Sequence, residues 1–334
     1  MTVPLCSSVS RRAMLRGLAS AMGVAAFGGC AELASTGDRF DASDFSAKPA
    51  LLVATTRKPV NGAREKPWFG TERSPAMSFG RAKLTPPDQS RFSLAAVGLE
   101  DWRLDSIEPV AQVDDLLAAT SGRDVLIYIH GFNQTFETAA LDAARLSDGI
   151  RFRGETMVFS WPSRGNLLDY VYDRESAMWS RDALDQVLDA MIANPATGRI
   201  DIVAHSVGTM LTMEALRQLY ARHGEVAADK VDAVVFASPD IDMDVFTSSV
   251  GHIGPLAAKI TVVAATNDRA LALSSWIAGG MTRVGAAEKA RLLALGLRVI
   301  DASDQGWGII NHDLFLSNTE IRQVIRHAIE GHAA

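Results

Sequence analysis

One serine lies where an apolar, β-branched run meets a helical pattern. Residues 201–208 read Asp-Ile-Val-Ala-His-Ser-Val-Gly, and helix-forming residues follow. This order is typical of a nucleophile elbow, a strand-turn-helix that exposes a serine hydroxyl. Ala204 replaces the usual first glycine, and Gly208 allows strand and helix to pass closely. The pattern predicts Ser206 as a nucleophile, which needs a base, an acid and oxyanion donors.

A short loop after an earlier candidate strand can supply the oxyanion donors. It reads His130-Gly131-Phe132-Asn133 and follows the apolar run at residues 125–129. Glycine there lets the backbone approach a substrate. We predict the backbone N–H groups of Phe132 and Val207 as the oxyanion hole, because an oxyanion loop and the residue after the nucleophile supply such donors. His130 and Asn133 are expected to brace the loop.

The chain has seven histidines that compete for the role of base. His312 comes after the last predicted strand and before the last helix, where the order Ser…Asp…His places the base. His252, between two predicted strands, is the alternative. His205 adjoins the serine and is expected to point away from it. The histidines on helix ends or in the tail are interpreted as solvated: His223, His327 and His332.

The acid is expected after a strand that lies between the serine and the histidine in the chain. Asp268 follows the predicted strand at residues 260–265 and is preferred. Asp240 and Asp242, after the preceding strand, stay open as alternatives. The Asp-X-Asp-X-Asp run at 240–244 does not suit calcium, because Val245 stands where such a loop needs glycine. No metal and no cofactor is predicted.

These residues predict attack of Ser206 on an acyl carbonyl, with an acyl-enzyme that water resolves. The hypothesis is a serine hydrolase cleaving carboxylic esters, with a small-molecule acyl ester or a lipid as substrate. An amidase, peptidase or acyltransferase would use the same residues. A non-catalytic interaction protein of the cell envelope is the alternative from another class.

Strands and helices alternate along most of the chain, which predicts an α/β protein with a mostly parallel sheet and helices on both faces. The predicted strands are residues 50–55, 77–84, 125–129, 157–160, 200–203, 231–237, 260–265 and 297–301. Helices are predicted at 135–150, at 174–192, after Ser206, within 271–294 and after a capping box at 317–320. Residues 86–117 give no clear pattern before a short amphipathic piece at their end.

The first 30 residues are typical of a targeting segment. Ser10-Arg11-Arg12 resembles a twin-arginine signal, and a short apolar stretch ends at Phe27-Gly-Gly-Cys30, which resembles a lipobox. A lipid anchor at Cys30 and a plain exported protein both stay open. We expect a signal segment at 1–30, a flexible tether at 31–48 and a hydrolase domain at 49–334, in the bacterial cell envelope, either periplasmic or anchored to a membrane.

Composition limits the partners and the chemistry. The chain has 334 residues and a net charge of −6, and it shows no basic stripe, which argues against nucleic-acid binding. Both cysteines, Cys6 and Cys30, lie in the leader, so a cysteine nucleophile or a cysteine-ligated zinc is excluded for the domain. Arg57 and Lys58 are interpreted as solvated loop charges. Four aromatic residues are expected mainly to pack: Trp161, Tyr170, Tyr172 and Trp179.

Several spaced motifs resemble the α/β-hydrolase superfamily. They are Val53-Ala-Thr-Thr-Arg57, His130–Asn133, Phe159-Ser-Trp-Pro-Ser163, Ala204–Gly208, Ser238-Pro-Asp-Ile-Asp242, Asn267-Asp-Arg-Ala-Leu271 and Asn311-His312. More narrowly, the chain is similar to bacterial esterase/lipase-like proteins of unknown function from about Leu51 to the C-terminus. The resemblance implies the triad Ser206, Asp268 and His312. It says little about the substrate.

Overall fold

The computed structural model describes residues 50–87, 101–118, 120, 122–265, 268–277, 279–303 and 319–331. All of them fall within one compact unit, 36–334. The leader with Cys30, the whole of the tether and His312 lie outside the described residues. Among the described helices, none is long and apolar enough to cross a membrane. The same residues contain no group of three or more His, Cys, Asp or Glu side chains placed to hold a metal.

The described strands form a single sheet in the order β3-β2-β1-β5-β4-β6-β7-β8-β9. From β1 through β9 the neighbours run parallel, while β2 and β3 extend one edge antiparallel. The strands are β1 (Ala50–Pro59), β2 (Phe69–Thr85), β3 (Arg103–Val110), β4 (Val125–Ile129), β5 (Glu155–Ser160), β6 (Ile200–His205), β7 (Val231–Ala237), β8 (Ile260–Ala264) and β9 (Arg298–Asp301).

Helices connect the parallel strands. They are α1 (Val113–Leu117), α2 (Phe136–Ile150), α3 (Tyr170–Trp179), α4 (Arg181–Ala193), α5 (Val207–His223), α6 (Glu225–Lys230), α7 (Met243–Val250), α8 (Arg269–Ile277), α9 (Lys289–Leu293) and α10 (Thr319–Glu330). Parallel strands need such crossovers, and right-handed crossovers place helices on the faces of a sheet.

Two hydrophobic cores lie on the two faces of the sheet. In β4 alternate residues point to opposite faces, so Ile127 joins the core that includes residues of α4 and α5. Tyr128 joins the other core, with residues of α2 and α10. Every residue of β4 and β6 is buried, as expected for strands covered on both sides. The predicted α/β fold with a mostly parallel sheet and helices on both faces is confirmed.

The structure adds elements that the sequence pattern did not reveal. Strand β3 lies in the stretch without a clear pattern, and its pairing with β2 shifts register between Lys83 and Leu84. The extra residue places the buried Leu104 and Ile107 three apart rather than two, which hides the alternation of a strand. The helix predicted at 174–192 consists of two helices, because α3 ends just before Ser180 and α4 begins just after it.

Candidate active site

Ser206 occupies a sharp turn between β6 and α5. Its φ is 51° and its ψ is −122°. Residues other than glycine rarely adopt this backbone conformation. The Ser206 N–H donates to the Ala237 carbonyl of β7 at 3.0 Å, and Thr209 donates back to the Ser206 carbonyl. The sheet and the first helical turn therefore hold the serine in this conformation.

Small residues on both sides of the serine permit the turn. A Cβ on Gly208 would lie 3.0 Å from the Ile129 carbonyl and would overlap that of His130. The start of α5 thus packs directly on the end of β4. Ala204 is fully buried in β6, paired with Ile129 on one side and Phe236 on the other, so the sheet accommodates its methyl group.

The loop after β4 lies against the serine. A Cβ on Gly131 would be 2.9 Å from the Ser206 Cβ and 2.7 Å from the His205 Nδ1. Within the described part of the chain, the backbone N–H groups of Phe132 and Val207 donate to no backbone or side-chain acceptor. Both N–H groups are therefore available as hydrogen-bond donors near Ser206, and donors in such a place can stabilise an oxyanion.

His130 braces this loop from below. Its ring is fully buried and stacks on Trp161, with 4.7 Å between centroids. The Trp161 N–H donates to Nε2 at 3.1 Å, which leaves Nδ1–H to donate to the Gly131 carbonyl at 2.8 Å. Burial and the positive charge of Arg57 hold the pKa of His130 well below 6.5, so the ring is neutral.

Asn133 completes the loop with a φ of 63°, a left-handed conformation that asparagine tolerates. Its N–H points to the buried carboxylate of Asp173, 3.5 Å away in α3. Burial raises the pKa of Asp173, and hydrogen bonds from Ser163 and the Arg164 N–H oppose that shift. The predicted bracing role of Asn133 thus runs through its backbone in the structure.

Asp268 follows β8 at the same edge of the sheet as Ser206. It is 6% exposed, and its Oδ1 accepts hydrogen bonds from the N–H groups of Ala270 and Leu271 at the start of α8. The carboxylate is fixed at the carboxyl end of a parallel strand, where catalytic groups of open α/β sheets lie.

The two alternative acids hold other parts of the structure. Asp240 accepts from the Tyr170 hydroxyl at 2.7 Å and from the Ser274 hydroxyl at 3.0 Å. It also forms a buried ion pair with Arg283, 3.0 Å from Nε to Oδ1. Asp242 caps α7 through the N–H groups of the first turn. Each Asp240 oxygen thus accepts a hydrogen bond that ties this carboxylate to α3 or α8.

Three of the described histidines, at positions 223, 252 and 327, lie where they do not suit a base for Ser206. His223 is at the far end of α5, about 24 Å along the helix from its start, and pairs with Asp189 at 2.6 Å. His252 is exposed in the turn that leads into the start of β8, the opposite edge of the sheet, and its ring bonds the Ser248 carbonyl. His327 is exposed on α10. His205 packs its ring against Gly131.

Arg57 is the residue that the sequence interpretation placed wrongly. The structure buries its side chain completely, whereas Lys58 is exposed and pairs with Glu72 at 2.7 Å, as expected of a solvated charge. A charged residue in sequence usually indicates exposure, and here the neighbouring loops enclose it. No local pattern in residues 53–57 distinguishes this arginine from an exposed one.

The four aromatic residues divide in two. Trp161 and Tyr170 are buried, and the Tyr170 ring packs edge-on against Phe132 at 5.4 Å. Tyr172 is half-buried under the Arg164 guanidinium, and Trp179 is 40% exposed. Packing therefore describes the first pair, which supports the oxyanion loop.

Residues 107–328 match the model of a family described as alpha/beta hydrolase of unknown function (DUF900). The chain belongs to this family. Among curated proteins it is similar to an uncharacterized protein, alr1448, from Nostoc sp., with 38% identity over a 122-residue alignment that covers 29% of this chain and 32% of that protein. The match thus spans about a third of the relative's length.

Solved structures with a similar fold include three hydrolases. A putative hydrolase of the alpha/beta superfamily from Xanthomonas campestris is 17% identical with a TM-score of 0.36, covering 62% of this chain and 97% of that one. A cutinase-like protein from Cryptococcus sp. is 14% identical with a TM-score of 0.39, covering 64% and 97%. The catalytic core of an acetyl xylan esterase from Trichoderma reesei is 12% identical with a TM-score of 0.40, covering 64% and 99%. These values carry no information about this hydrolase's substrate.

Proposed function

We propose that the protein is a serine hydrolase that cleaves carboxylic esters. The observation that carries the proposal is the strained Ser206 facing a glycine loop, with two backbone donors unused beside it. A hydroxyl held in such a place and donors aimed at the developing negative charge are the parts that acyl transfer requires.

In the proposed reaction Ser206 attacks the acyl carbonyl while His312 takes its proton. Asp268 orients the imidazole and stabilises its charged form, and the Phe132 and Val207 N–H groups bind the oxyanion. The protonated His312 then gives its proton to the leaving alcohol, and water releases the acyl group by the same steps. His312 is supported by chain order and by the unsuitable positions of the described histidines. Asp268 is supported by its place after β8 and by the occupied oxygens of Asp240.

The test is labelling with a fluorophosphonate, followed by a series of nitrophenyl esters from acetate to palmitate. Ser206→Ala should abolish labelling and lower kcat by about 10⁴-fold or more. Ser238→Ala is the matched control, because Ser238 is also buried at a strand end with a φ of 46°. Its hydroxyl has no hydrogen-bond partner among the described residues, so its removal should change neither labelling nor rate.

Retained hydrolysis and labelling in Ser206→Ala would overturn the proposal. Labelling of the wild type at Ser206 without turnover of any ester, but with turnover of anilides, would replace esters by amides as the substrate class. Absence of labelling in the folded wild type would favour the non-catalytic alternative. The slope of kcat/KM along the acyl series then gives the chain length that the site prefers.

We also propose that the enzyme is exported and anchored through Cys30, on the evidence of the leader motifs alone. The test is incorporation of labelled palmitate, compared between the wild type and Cys30→Ser, together with cell fractionation. Export without incorporation would leave a plain exported hydrolase. Retention of the wild type in the cytoplasm would contradict export itself.

A further inference from the structure

Arg57 is a buried cation whose hydrogen bonds go to neutral groups. Its guanidinium donates to the carbonyl oxygens of Gly70, Ser163 and Gln134, and to the Ser160 hydroxyl, at distances of 2.7–3.2 Å. Burying a cation without a directly bonded carboxylate is expensive. The four acceptors come from three segments of the chain, around residues 70, 134 and 160–163.

Two of these bonds reach the two ends of the oxyanion loop. Arg57 Nη2 donates to the Gln134 carbonyl at 2.7 Å, which fixes the end of the loop. Arg57 Nε donates to Ser160 Oγ at 2.8 Å, and Ser160 in turn lies 3.3 Å from His130 Nε2, at the start of the loop. Since Nε2 accepts from the Trp161 N–H, the Ser160 hydroxyl is the donor in this contact.

A third bond acts through Ser163. Arg57 Nη1 donates to the Ser163 carbonyl at 2.9 Å, and the Ser163 hydroxyl oxygen accepts from the Gln134 N–H at 3.1 Å. The same hydroxyl donates to the carboxylate of Asp173, which also receives the Asn133 N–H. Gly131 and Phe132 thus lie between fixed points on both sides. Arg57 contacts Ser160 on one side and Ser163 and Gln134 on the other.

We propose that Arg57 is a positioning residue that sets the Phe132 N–H against Ser206. The planar fork of a guanidinium suits this role, because it holds several acceptors in a fixed relative geometry that an ammonium group cannot reproduce. This inference rests on the proposed function, since it assigns a donor in the proposed oxyanion hole. Arg57 itself is not expected to touch the substrate.

The charge of Arg57 is maintained at neutral pH. Burial lowers its pKa to about 9, and the negative charge of Asp173 opposes the shift. The other groups that face it are Glu137 and Tyr172, with His130 held neutral on the opposite side. Arg57 therefore keeps all the N–H donors of its guanidinium at neutral pH.

The experiment compares Arg57→Lys and Ser160→Ala with the wild type, with Lys58→Met as the matched control on the adjacent, exposed residue. The readouts are kcat and KM for a short nitrophenyl ester, the inhibition constant of a trifluoromethyl ketone and the thermal unfolding midpoint. One oxyanion donor is worth about 10²–10³ in rate. We therefore expect Arg57→Lys to lower kcat by up to about that factor, with KM within about threefold.

The ketone constant should rise in parallel with the fall in kcat/KM, because the inhibitor forms the same oxyanion on the serine. A purely structural role would reduce the folded fraction and leave both constants of the folded enzyme unchanged. Ser160→Ala, which removes the hydroxyl that joins Arg57 Nε to His130 and leaves the other bonds of Arg57 in place, should lower kcat by about tenfold and decides the matter if Arg57→Lys does not fold. Wild-type constants in both folded variants would overturn the inference, whereas activity in Ser206→Ala would overturn the proposed function.

Discussion

Two serines end neighbouring parallel strands of this hydrolase, and only one has the surroundings of a nucleophile. Ser206 follows β6 with a φ of 51°, and Ser238 follows β7 with a φ of 46°. Both are buried. A positive φ outside glycine costs of the order of 1–3 kcal/mol. Backbone strain is thus present at both strand ends and does not by itself identify a reactive serine.

The chain after each serine differs. Helix α5 begins directly after Ser206, so first-turn N–H groups such as that of Val207 face the site without an acceptor among the described residues. Ser238 is followed by Pro239, which has no N–H. The Pro239 carbonyl accepts from the Gly285 N–H at 2.9 Å, so the turn after Ser238 is bonded to the segment that contains Gly285. The end of β6 therefore offers an unused N–H donor, whereas the residue after Ser238 at the end of β7 has no N–H and its carbonyl is already bonded.

A glycine packs on each serine, with opposite results. Gly131 brings the loop with the Phe132 N–H against Ser206, whereas Gly285 brings a segment that covers Ser238, 2.7 Å from its carbonyl carbon to a Cβ built on the glycine. The comparison teaches that unused donors beside the hydroxyl, rather than strain or burial, separate the candidate nucleophile from its neighbour.

The largest difference in the effect of a substitution is expected between Asp268 and Asp240. Asp268→Asn should lower kcat by about 10⁴-fold, as loss of the acid does in other triads, while the helix cap survives because asparagine caps as well as aspartate. Asp240→Asn leaves Arg283 buried without its carboxylate and should lower the unfolding midpoint instead. Ester kinetics and thermal unfolding of both variants provide the check. The reverse pattern would assign the acid to Asp240.

The next contrast concerns the two glycines. Gly131→Ala places a methyl group against Ser206 and His205, so the loop must move and kcat should fall by about 10²–10³-fold. Gly285→Ala meets Leu271 and the Ser238 backbone and should lower stability by about 1–3 kcal/mol through overpacking. Steady-state kinetics and urea unfolding distinguish them. Equal losses of kcat in the two folded variants would contradict a special role for the loop at Ser206.

Low pH should lower the free energy of unfolding through His130, which begins the loop beside Ser206. Its pKa is held well below 6.5 in the folded protein, so the unfolded chain binds more protons as the pH falls below that value. The stability is fully present above pH 6.5 and declines toward the folded pKa, by at most about 1.4 kcal/mol per pH unit. His130→Gln does not titrate and should flatten the decline of unfolding free energy between pH 7 and 5.5. The same slope in both proteins would exclude His130 as its source.

The strand-turn-helix at Ser206 and the glycine loop beside it could be located in the sequence because each is a contiguous motif. Residues 130–133 and 204–208 carry their geometry in neighbouring residue types, and a parallel sheet brings the ends of their strands together. The alternation of strands and helices predicted a mostly parallel sheet but not the order of its strands, in which β5 lies between β1 and β4. The sequence favoured Asp268 over Asp240 by its place in the chain, whereas the partners of Asp240 could be seen only in the structure.

The support beneath the loop could not be predicted, because it depends on contacts between distant residues. The acceptors of Arg57 lie at 70, 134, 160 and 163, and nothing near Arg57 in the chain indicates that they enclose it. The burial of Asp173 has the same origin, since its donors come from other loops. Sequence pattern thus located the groups proposed to react and missed those that hold them.

The smallest expected effect concerns the residue that departs from the elbow pattern. Ala204→Gly restores the usual glycine, yet the Ala204 methyl group is already buried in the sheet, and the close approach of α5 depends on Gly208. The variant should therefore lose about 0.5–1 kcal/mol of stability, as glycine does within a strand, with little change in kcat. Urea unfolding and ester kinetics measure the two. A large rise in kcat would instead show that the methyl group holds Ser206 away from its best position, and the comparison of the two serines would then have to include the strand before each of them.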